Sequence, residues 1–590
     1  LPPVTFHYYQ DLLYHLSLIH ELSRDLPFQV PQMAGGTLRY HYLSDADMAS
    51  ASLITGVDAA TVLLRLWLGP ILVATTVTVA AFARDVVRTW WAGPVAAGVA
   101  LLSHPLPLGG PLVAPGSRPM SLLSPSLTYL IPLLMLTAAI CVDLVRGRRI
   151  GPAWPLLALL ALACAGAKAS GVPVLVVGML AAIVGILVTT RRLHRRALAG
   201  LAILVAAMLG GATLFVGGGA GTLGPQALSQ LQWIPAYREA IGPSDEPVAG
   251  GLVPPGLRRA GGTGWVFALG LLGWWLLLQL PRWIGLLALG RRRTRTDPAV
   301  WLLAGAVVAG IGAMWLLFHP SDSQVYFFLP TLPFGAVLAV WVLADATPRR
   351  YVGTVLTVAV TVGFCVATLL WATAYDPSMP GHTYLGWSRA LLVPVLSGAL
   401  LLGAAVTAWS IARRRVYQLR GRGIAVLVAV VLGAALAANL PPTVDTLVLR
   451  AVKGRAVVGG TPGARSVRAT EMRAARWLDA HAGPDDVVAT NVHCQPVPTV
   501  PYCDSRAFWV TGLGGRRTVL EGWGYTDGAV GAQGRHGYGY PRQPAADTRR
   551  FALNERVFTD PTAADVRELQ HRYATRWLFA DRRAGPVSPR

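Results

Sequence analysis

The stretch PLLALLALACAGAKASGVPVLVVGMLAAIVGILVTT (residues 155–190) has the composition of two membrane-spanning helices and carries one charge, at Lys168. A charged group within hydrocarbon is costly, so an ionisable residue there is by default a functional-site hypothesis. Gly166, Gly171 and Pro173 predict a break in the helix, which at membrane depth is tolerated only against protein or a water-filled cavity. The alternative interpretation is a lysine at a helix end that extends to the outer headgroups.

The rest of the chain is also typical of a membrane protein. Of its 590 residues 53% are hydrophobic and 14% charged, with a mean hydropathy of +0.48 and a net charge of +22. Arginines cluster in every second short connector, which is the positive-inside pattern. The clusters are Arg84/Arg88, Arg146/Arg148/Arg149, Arg191/Arg192/Arg195/Arg196, Arg291/Arg292/Arg293/Arg295, Arg349/Arg350 and Arg413/Arg414/Arg415/Arg420/Arg422. Because these residues are scattered, the charge indicates topology and not nucleic-acid binding.

Apolar runs of about 17–25 residues predict twelve spans. They lie near 61–83, 90–103, 123–144, 152–167, 172–190, 197–216, 264–289, 298–318, 325–345, 351–373, 386–410 and 424–440. With twelve spans, every arginine cluster lies on the cytoplasmic side of the membrane. This count leaves external a first loop (1–60), loops near 104–122, 217–262, 319–324 and 374–385, and a tail (441–590). We therefore predict a multi-pass protein of the cytoplasmic membrane in three parts: 1–60, the helical bundle 61–440, and an external domain 441–590.

The chain opens in an external segment without an initiator Met or a signal peptide. Such a segment normally follows a preceding span, so we expect a fragment that lacks its first helix, from a protein of about thirteen spans.

The cysteines fit this topology. Cys141, Cys164 and Cys365 lie in apolar spans and are interpreted as small core residues. Cys494 and Cys503 flank a proline-rich loop in the tail, on the oxidising face, and predict a local disulfide. A metal site there would need more ligands than these two cysteines and His493 supply.

The tail predicts a small α/β domain, with short strands near 485–490, 517–523 and 575–580 and amphipathic helices at 471–480 and 562–573. Its Gly- and aromatic-rich stretch from Gly522 to Tyr540 has two interpretations. The aromatic rings can stack on sugars, or the stretch is a flexible loop.

The first loop concentrates acids and imidazoles. Leu12, Leu16, Ile19 and Leu22 recur at helical spacing, with Asp11 and His15 one turn apart on a neighbouring face; this predicts an interfacial helix. A second group of polar residues follows at His41, Asp45 and Asp47. The simpler interpretation is a solvated loop, but together with Lys168 these residues collect at the outer mouth of the bundle.

These features resemble the GT-C type of membrane glycosyltransferase. The resemblance is carried by Gln10-Asp11-Leu12-Leu13-Tyr14-His15, by Leu38-Arg39-Tyr40-His41, by Lys168 at a helix break, and by the segment from His319 to Phe328 that opens another span. It implies transfer of a sugar from a polyprenyl-phosphate carrier on the outer face to a glycan or lipid acceptor in cell-envelope assembly.

The resemblance also implies roles for individual residues. Asp11 becomes the candidate base with His15 orienting it, Lys168 and Arg65 bind the donor phosphate, and His41, Gln324 and Tyr326 bind substrate. A divalent ion such as Mg or Mn, held by Asp11 with Asp45 or Asp47, stays open, since no dense ligand motif demands it.

Two other function classes fit a polytopic chain. A transporter or flippase of lipid-linked sugars predicts internal repeats, and we find no clear repeat. A non-catalytic envelope scaffold would use the tail for protein contacts and leave Asp11 and Lys168 replaceable. Phosphate-binding fingerprints of ATP-driven pumps are absent from the sequence.

Overall fold

The computed structural model describes residues 8–108, 120–192, 194–215, 223–242, 251–347, 351–372, 383–415, 423–438 and 465–589. Within these residues nine helices are long and apolar enough to cross a membrane. They are Leu68–Val87, Pro125–Val145, Gly171–Thr190, Arg195–Leu214, Gly261–Leu278, Pro298–Leu316, Val325–Ala346, Val352–Leu370 and Tyr384–Leu401. The helices of the last two segments extend to Ala372 and Arg415.

Shorter apolar helices account for the other predicted spans. They are Ala92–Leu102, Ala153–Ala167 and Gly423–Ala437, so each of the twelve predicted spans coincides with a helix and the polytopic fold class is confirmed. The predicted loops at 104–122, 217–262 and 374–385, two arginine clusters (349/350 and 420/422) and the tail from 441 to 464 lie partly or wholly outside the described residues.

The boundaries of two predicted spans were wrong. The span predicted at 264–289 ends as a regular helix at Leu278 and continues as a short helix, Leu280–Trp283, and a 3₁₀ segment, Ile284–Gly290. Pro281 lacks the N–H that an uninterrupted helix would need. The span predicted at 61–83 begins with a π-helical turn, Val62–Leu66, before its main helix starts at Leu68.

The predicted break at Lys168 is present. The Ala153–Ala167 helix ends at Lys168, whose backbone is extended (φ −162°, ψ 121°), and the next helix begins at Gly171. Glycine allows close packing on both sides, because a Cβ at Gly166 would lie 2.8 Å from the Phe215 ring and one at Gly171 would lie 2.7 Å from the Leu130 side chain, and these side chains would have to shift. Close packing around the break therefore fixes where the lysine emerges.

The first loop folds over one end of the bundle. Its elements are the Gln10–Leu22, Leu43–Thr55 and Ala59–Thr61 helices. The bundle connectors add a two-stranded antiparallel pair (Gly224–Pro225 and Leu317–Phe318), a 3₁₀ turn (Ser229–Trp233), and short helices (Pro235–Ala240 and Arg292–Arg295).

The C-terminal domain has the predicted α/β character. Three parallel strands, Arg517–Thr518, Val487–Thr490 and Thr575–Phe579, form a sheet in that order. Helices at Ala469–His481, Trp509–Gly514, Asp527–Gly531, Thr548–Thr559 and Ala563–Tyr573, with 3₁₀ turns at Arg535–Gly537 and Tyr540–Arg542, surround it. The second predicted strand is shorter than expected and the Thr548–Thr559 helix was missed.

The first loop and the C-terminal domain share one hydrophobic core, which contains Leu16 and Ile19 of the first helix together with Val488, Phe508 and Trp509 of the domain. The loop also extends the domain's hydrogen bonding, since Ala34 N–H donates to the Thr518 carbonyl (2.9 Å) and Thr518 N–H donates to the Pro31 carbonyl (2.8 Å). Segments far apart in sequence therefore form one folded layer on the bundle.

The disulfide between Cys494 and Cys503 is confirmed, with a Cα–Cα distance of 5.7 Å. Cys141 and Cys164 are buried free cysteines, as interpreted. Cys365 is exposed on its apolar helix, so its interpretation as a core residue was wrong. An apolar sequence does not say which face of a helix meets its neighbours.

Candidate functional site

A cavity of about 390 Å³ lies where the first loop, the bundle and the C-terminal domain meet; we call it the junction cavity. Its walls combine residues from all three parts. They include Tyr9, Asp11, His15, Arg39 and His41 of the first loop, Ser124, Lys168, His319 and Tyr326 of the bundle, and Arg506, Tyr525, Asp527 and Tyr540 of the C-terminal domain. Five of the residues predicted from sequence to act together, namely Asp11, His15, His41, Lys168 and Tyr326, line this one space.

Asp11 and His15 are presented by consecutive turns of the Gln10–Leu22 helix. His15 is buried, and its Nδ1 lies 2.8 Å from Oδ1 of the fully buried Asp45. Asp45 sits in the first turn of the Leu43–Thr55 helix, where the helix dipole favours a carboxylate. This hydrogen bond fixes the orientation of the His15 ring, and Asp45 itself does not line the cavity.

Lys168 is buried at the helix break and donates to Ser126 Oγ at 3.0 Å. Its Nζ lies 3.3 Å from Nε2 of His41 and 3.7 Å from the centroid of the Tyr326 ring. The lysine belongs to the connector between two helices and not to either helical span. Burial lowers the pKa of Lys168 to about 7, although Asp11 and Asp45 oppose this shift.

His41 is the partner that keeps the lysine in place. Burial, and then the Lys168 ammonium, lower the pKa of His41 well below its usual value, so its imidazole is neutral. A neutral Nε2 accepts the proton that a charged lysine donates. The His41 ring also stacks on Tyr40 (centroids 4.1 Å apart), which fixes its orientation.

The C-terminal domain completes the site with residues that sequence reasoning had not assigned. Tyr525 donates its phenolic proton to Oδ1 of Asp11. Burial and the Asp11 charge raise the pKa of Tyr525, which keeps the phenol protonated as a donor. The Arg506 guanidinium is held by a bidentate pair with Asp504 (2.8 and 2.7 Å) and lies 5.9 Å from the Tyr525 and Tyr540 rings. The aromatic-rich stretch from Gly522 to Tyr540 was the signal for this contribution.

Two predicted site residues lie outside the junction cavity. Arg65 is exposed on the π-helical turn and does not line it. Gln324 is fully buried behind the cavity wall, where its Oε1 accepts from the His319 backbone N–H (3.1 Å) and its Nε2 lies 3.4 Å from Ser229 Oγ. Gln324 therefore contacts the cavity wall through His319, which does line the cavity.

The three carboxylates considered for a divalent ion point to different partners. Asp11 accepts from Tyr525, Asp45 pairs with His15, and Asp47 accepts from Trp67 Nε1 at 2.8 Å. Among the residues that the structure describes, no three His, Cys, Asp or Glu side chains converge as a metal site. The described geometry therefore does not gather a Mg or Mn site from Asp11, Asp45 and Asp47.

Comparisons with known proteins match solved structures at low similarity only. No model of a protein family matches the sequence, and no curated protein matches it. The archaeal oligosaccharyltransferase AglB from Archaeoglobus fulgidus, in complex with an inhibitory peptide and a dolichol-phosphate, has a TM-score of 0.38 and 11% identity, covering 97% of this chain and 65% of that one. An oligosaccharyltransferase of the same organism in the apo form has a TM-score of 0.40 and 11% identity, with 96% and 65% covered.

ArnT from Cupriavidus metallidurans in the apo state has a TM-score of 0.35 and 14% identity, with 85% of this chain and 79% of that chain covered. The chain spans 65% of the length of the oligosaccharyltransferases. Because the TM-scores lie below 0.5, these matches assign no role to any residue of this chain.

Proposed function

We propose that the chain is a membrane glycosyltransferase that takes its sugar from a polyprenyl-phosphate donor at the outer membrane face, in cell-envelope glycan or glycoconjugate assembly. The observation that carries this proposal is the convergence of Asp11 and Lys168 on one cavity between the bundle and the C-terminal domain. A carboxylate and a buried cation at such a boundary suit a reaction in which a hydroxyl loses a proton while a lipid phosphate departs.

The cation side of the cavity supports a lipid-phosphate donor. Lys168 sits at a break between two membrane helices, beside Ser126 and Tyr326, where a polyprenyl chain in the bilayer brings its phosphate. Within the described ranges Lys168 has no carboxylate at ion-pair distance, so its charge is available to an anion. Arg506 is already neutralised by Asp504, which leaves Lys168 as the better phosphate ligand.

The carboxylate side supports acceptor activation. The Asp11 carboxylate accepts from Tyr525 and also hydrogen-bonds the Tyr9 phenol. A carboxylate has about four acceptor positions, so lone pairs remain to take the proton of an acceptor hydroxyl. The acceptor oxygen then forms a bond to the anomeric carbon of the sugar while the bond from that carbon to the phosphate oxygen breaks. The electron pair leaves with polyprenyl phosphate, whose charge Lys168 stabilises.

The test is donor cleavage by the purified full chain in lipid nanodiscs. Polyprenyl-phosphate hexose and pentose donors labelled in the sugar are supplied together with a mixed pool of cell-envelope glycans and lipids as acceptors, and release of polyprenyl phosphate is measured. Asp11→Asn keeps the shape and removes the base, so the rate should fall by about a hundredfold or more. Asp25→Asn, which changes an exposed acid of the same loop, should leave the rate unchanged. Equal rates in wild type and Asp11→Asn, or no cleavage by the wild type, would refute the proposal.

A further inference from the structure

A second cavity, of about 480 Å³, lies beside the junction cavity; we call it the aromatic cleft. One wall is the first-loop segment 30–39 and the other is formed by residues 520–528 and 545–550 of the C-terminal domain. Building on the proposed function, we infer that the aromatic cleft binds the acceptor, and that the acceptor is an uncharged carbohydrate chain that enters from water.

The residues that line the two cavities indicate that one opens to water and the other to the membrane bundle. None of the residues that line the aromatic cleft belongs to a membrane helix of the described bundle, whereas Leu123, Lys168 and Tyr326 of the junction cavity come from the bundle. A ligand in the cleft is therefore approached from the aqueous side of the first loop. The lipid-linked donor and the acceptor then reach Asp11 by separate routes.

The two cavities meet at a shared boundary formed by Tyr14, Arg39, Tyr525 and Asp527. Tyr525 lines both spaces and donates to Asp11, so a ligand that passes from the cleft toward the junction cavity meets the candidate base there. Tyr14 packs edge-on against Tyr525, with the ring centroids 5.1 Å apart, and holds that ring in place.

The part of the boundary formed by Arg39 and Asp527 can open at little cost. Arg39 and Asp527 approach to 3.7 Å, and their side chains are 51% and 69% exposed. An exposed pair at this distance is weak, because water competes for both partners. Hydroxyl groups of a bound chain can hydrogen-bond to both side chains, since hydroxyls both donate and accept.

The chemistry of the cleft favours carbohydrate. The partly exposed ring of Tyr525 lines it, with small exposed parts of the largely buried Tyr14, Phe508 and Trp523 and with planar polar groups (Arg39, Arg550, Asp527 and Asp547). The Tyr525 ring offers apolar contact to a sugar C–H face, and planar carboxylate and guanidinium groups hydrogen-bond in pairs with neighbouring hydroxyls. Two cations balance two anions, so the cleft favours an uncharged chain.

The polar groups of the cleft are also held in position. Arg550 donates to the Ala34 carbonyl at 3.1 Å and lies 4.4 Å from the Tyr573 ring centroid. Asp547 accepts from the Arg550 backbone N–H at 2.9 Å. Groups that are fixed before binding lose less conformational entropy when a ligand arrives.

The test is direct binding of oligosaccharides to the full chain in nanodiscs, without donor. The probes are neutral hexasaccharides of glucan, mannan and arabinan type. Their binding is measured by saturation-transfer NMR. Ala546→Trp fills the cleft, because Ala546 lies on its wall against Gly528. We expect binding of at least one probe and a tenfold or greater loss of affinity in this variant. Thr37→Trp on the opposite wall should give the same loss, and the exposed Ala564→Trp is the matched control with no loss.

Three results would overturn the inference: no probe binds, binding survives both tryptophan variants, or an unstructured decapeptide binds in the cleft and displaces the sugar. The thermal unfolding midpoint of each variant shows whether its fold is intact. Because donor cleavage tests the proposed function and donor-free binding tests the cleft, either proposal can fail while the other stands.

Discussion

Two buried charged groups of this protein, Glu21 in the first loop and Lys168 in the bundle, have opposite surroundings. Glu21 is fully buried and accepts from Arg24 (2.8 Å), from the Gln29 backbone (2.7 Å), and twice from Arg517 (2.8 and 2.7 Å). Lys168 is almost as buried, but its contacts are a hydroxyl, a neutral imidazole and an aromatic ring.

This difference indicates a structural role for Glu21 and a ligand-binding role for Lys168. Every acceptor position of Glu21 is used by the protein itself, so the Glu21 network joins the first loop to the C-terminal domain and leaves nothing for a ligand. Lys168 has no carboxylate at ion-pair distance among the described residues, and only Asp11 and Asp45, farther away, favour its charged form. An uncompensated buried charge is costly for folding and is retained where function requires it.

The largest effect on stability should come from Glu21→Gln. The substitution keeps the shape but leaves two guanidinium groups without their counter-charge, which typically costs about 3–5 kcal/mol. Thermal unfolding followed by circular dichroism would measure it. Asp485→Asn is the control, because that carboxylate lies 3.9 Å from Arg517 but is 79% exposed and contributes about 0–1 kcal/mol. Equal losses in the two variants would show that burial does not set the energetics of this network.

The same contrast explains what the sequence predicted and what it missed. The helical spans, the break at Lys168 and the polar face with Asp11 and His15 are local patterns, readable from hydrophobicity and spacing. The partners Tyr525 and Arg517 stand about 500 positions from Asp11 and Glu21, and no local pattern links them. Arg65 and Gln324 were assigned by resemblance, and side-chain direction at a span end is decided by tertiary packing.

The second effect concerns ligand binding. Lys168→Met should weaken binding of polyprenyl phosphate by about tenfold to a hundredfold, since a hydrogen bond to a charged group contributes about 1.5–3 kcal/mol. Its unfolding temperature should stay the same or rise, because a buried charge is removed. Binding is measured by fluorescence titration in nanodiscs. Arg65→Met is the control, and equal weakening there would move the phosphate site away from the junction cavity.

The smallest effect is a pH dependence of the same binding. Burial lowers the pKa of Lys168 to about 7 in the unliganded protein, and a bound phosphate raises that pKa because it stabilises the ammonium. Affinity is therefore full below about pH 7. Above that value the free protein has lost the proton and must regain it on binding, so affinity falls by up to about tenfold per pH unit.

This dependence belongs to the lysine only if the ligand itself does not titrate. The second ionisation of a phosphate monoester has a pKa near 6, so titrations between about pH 7 and 9 hold the ligand charge constant. His41 does not contribute in this range, because burial and Lys168 lower its pKa well below the usual value. The wild type should lose affinity across the interval while Lys168→Met gives a flat profile. Parallel slopes in the two proteins would assign the titration to another group, and would leave Lys168 as a buried charge with the same structural role as Glu21.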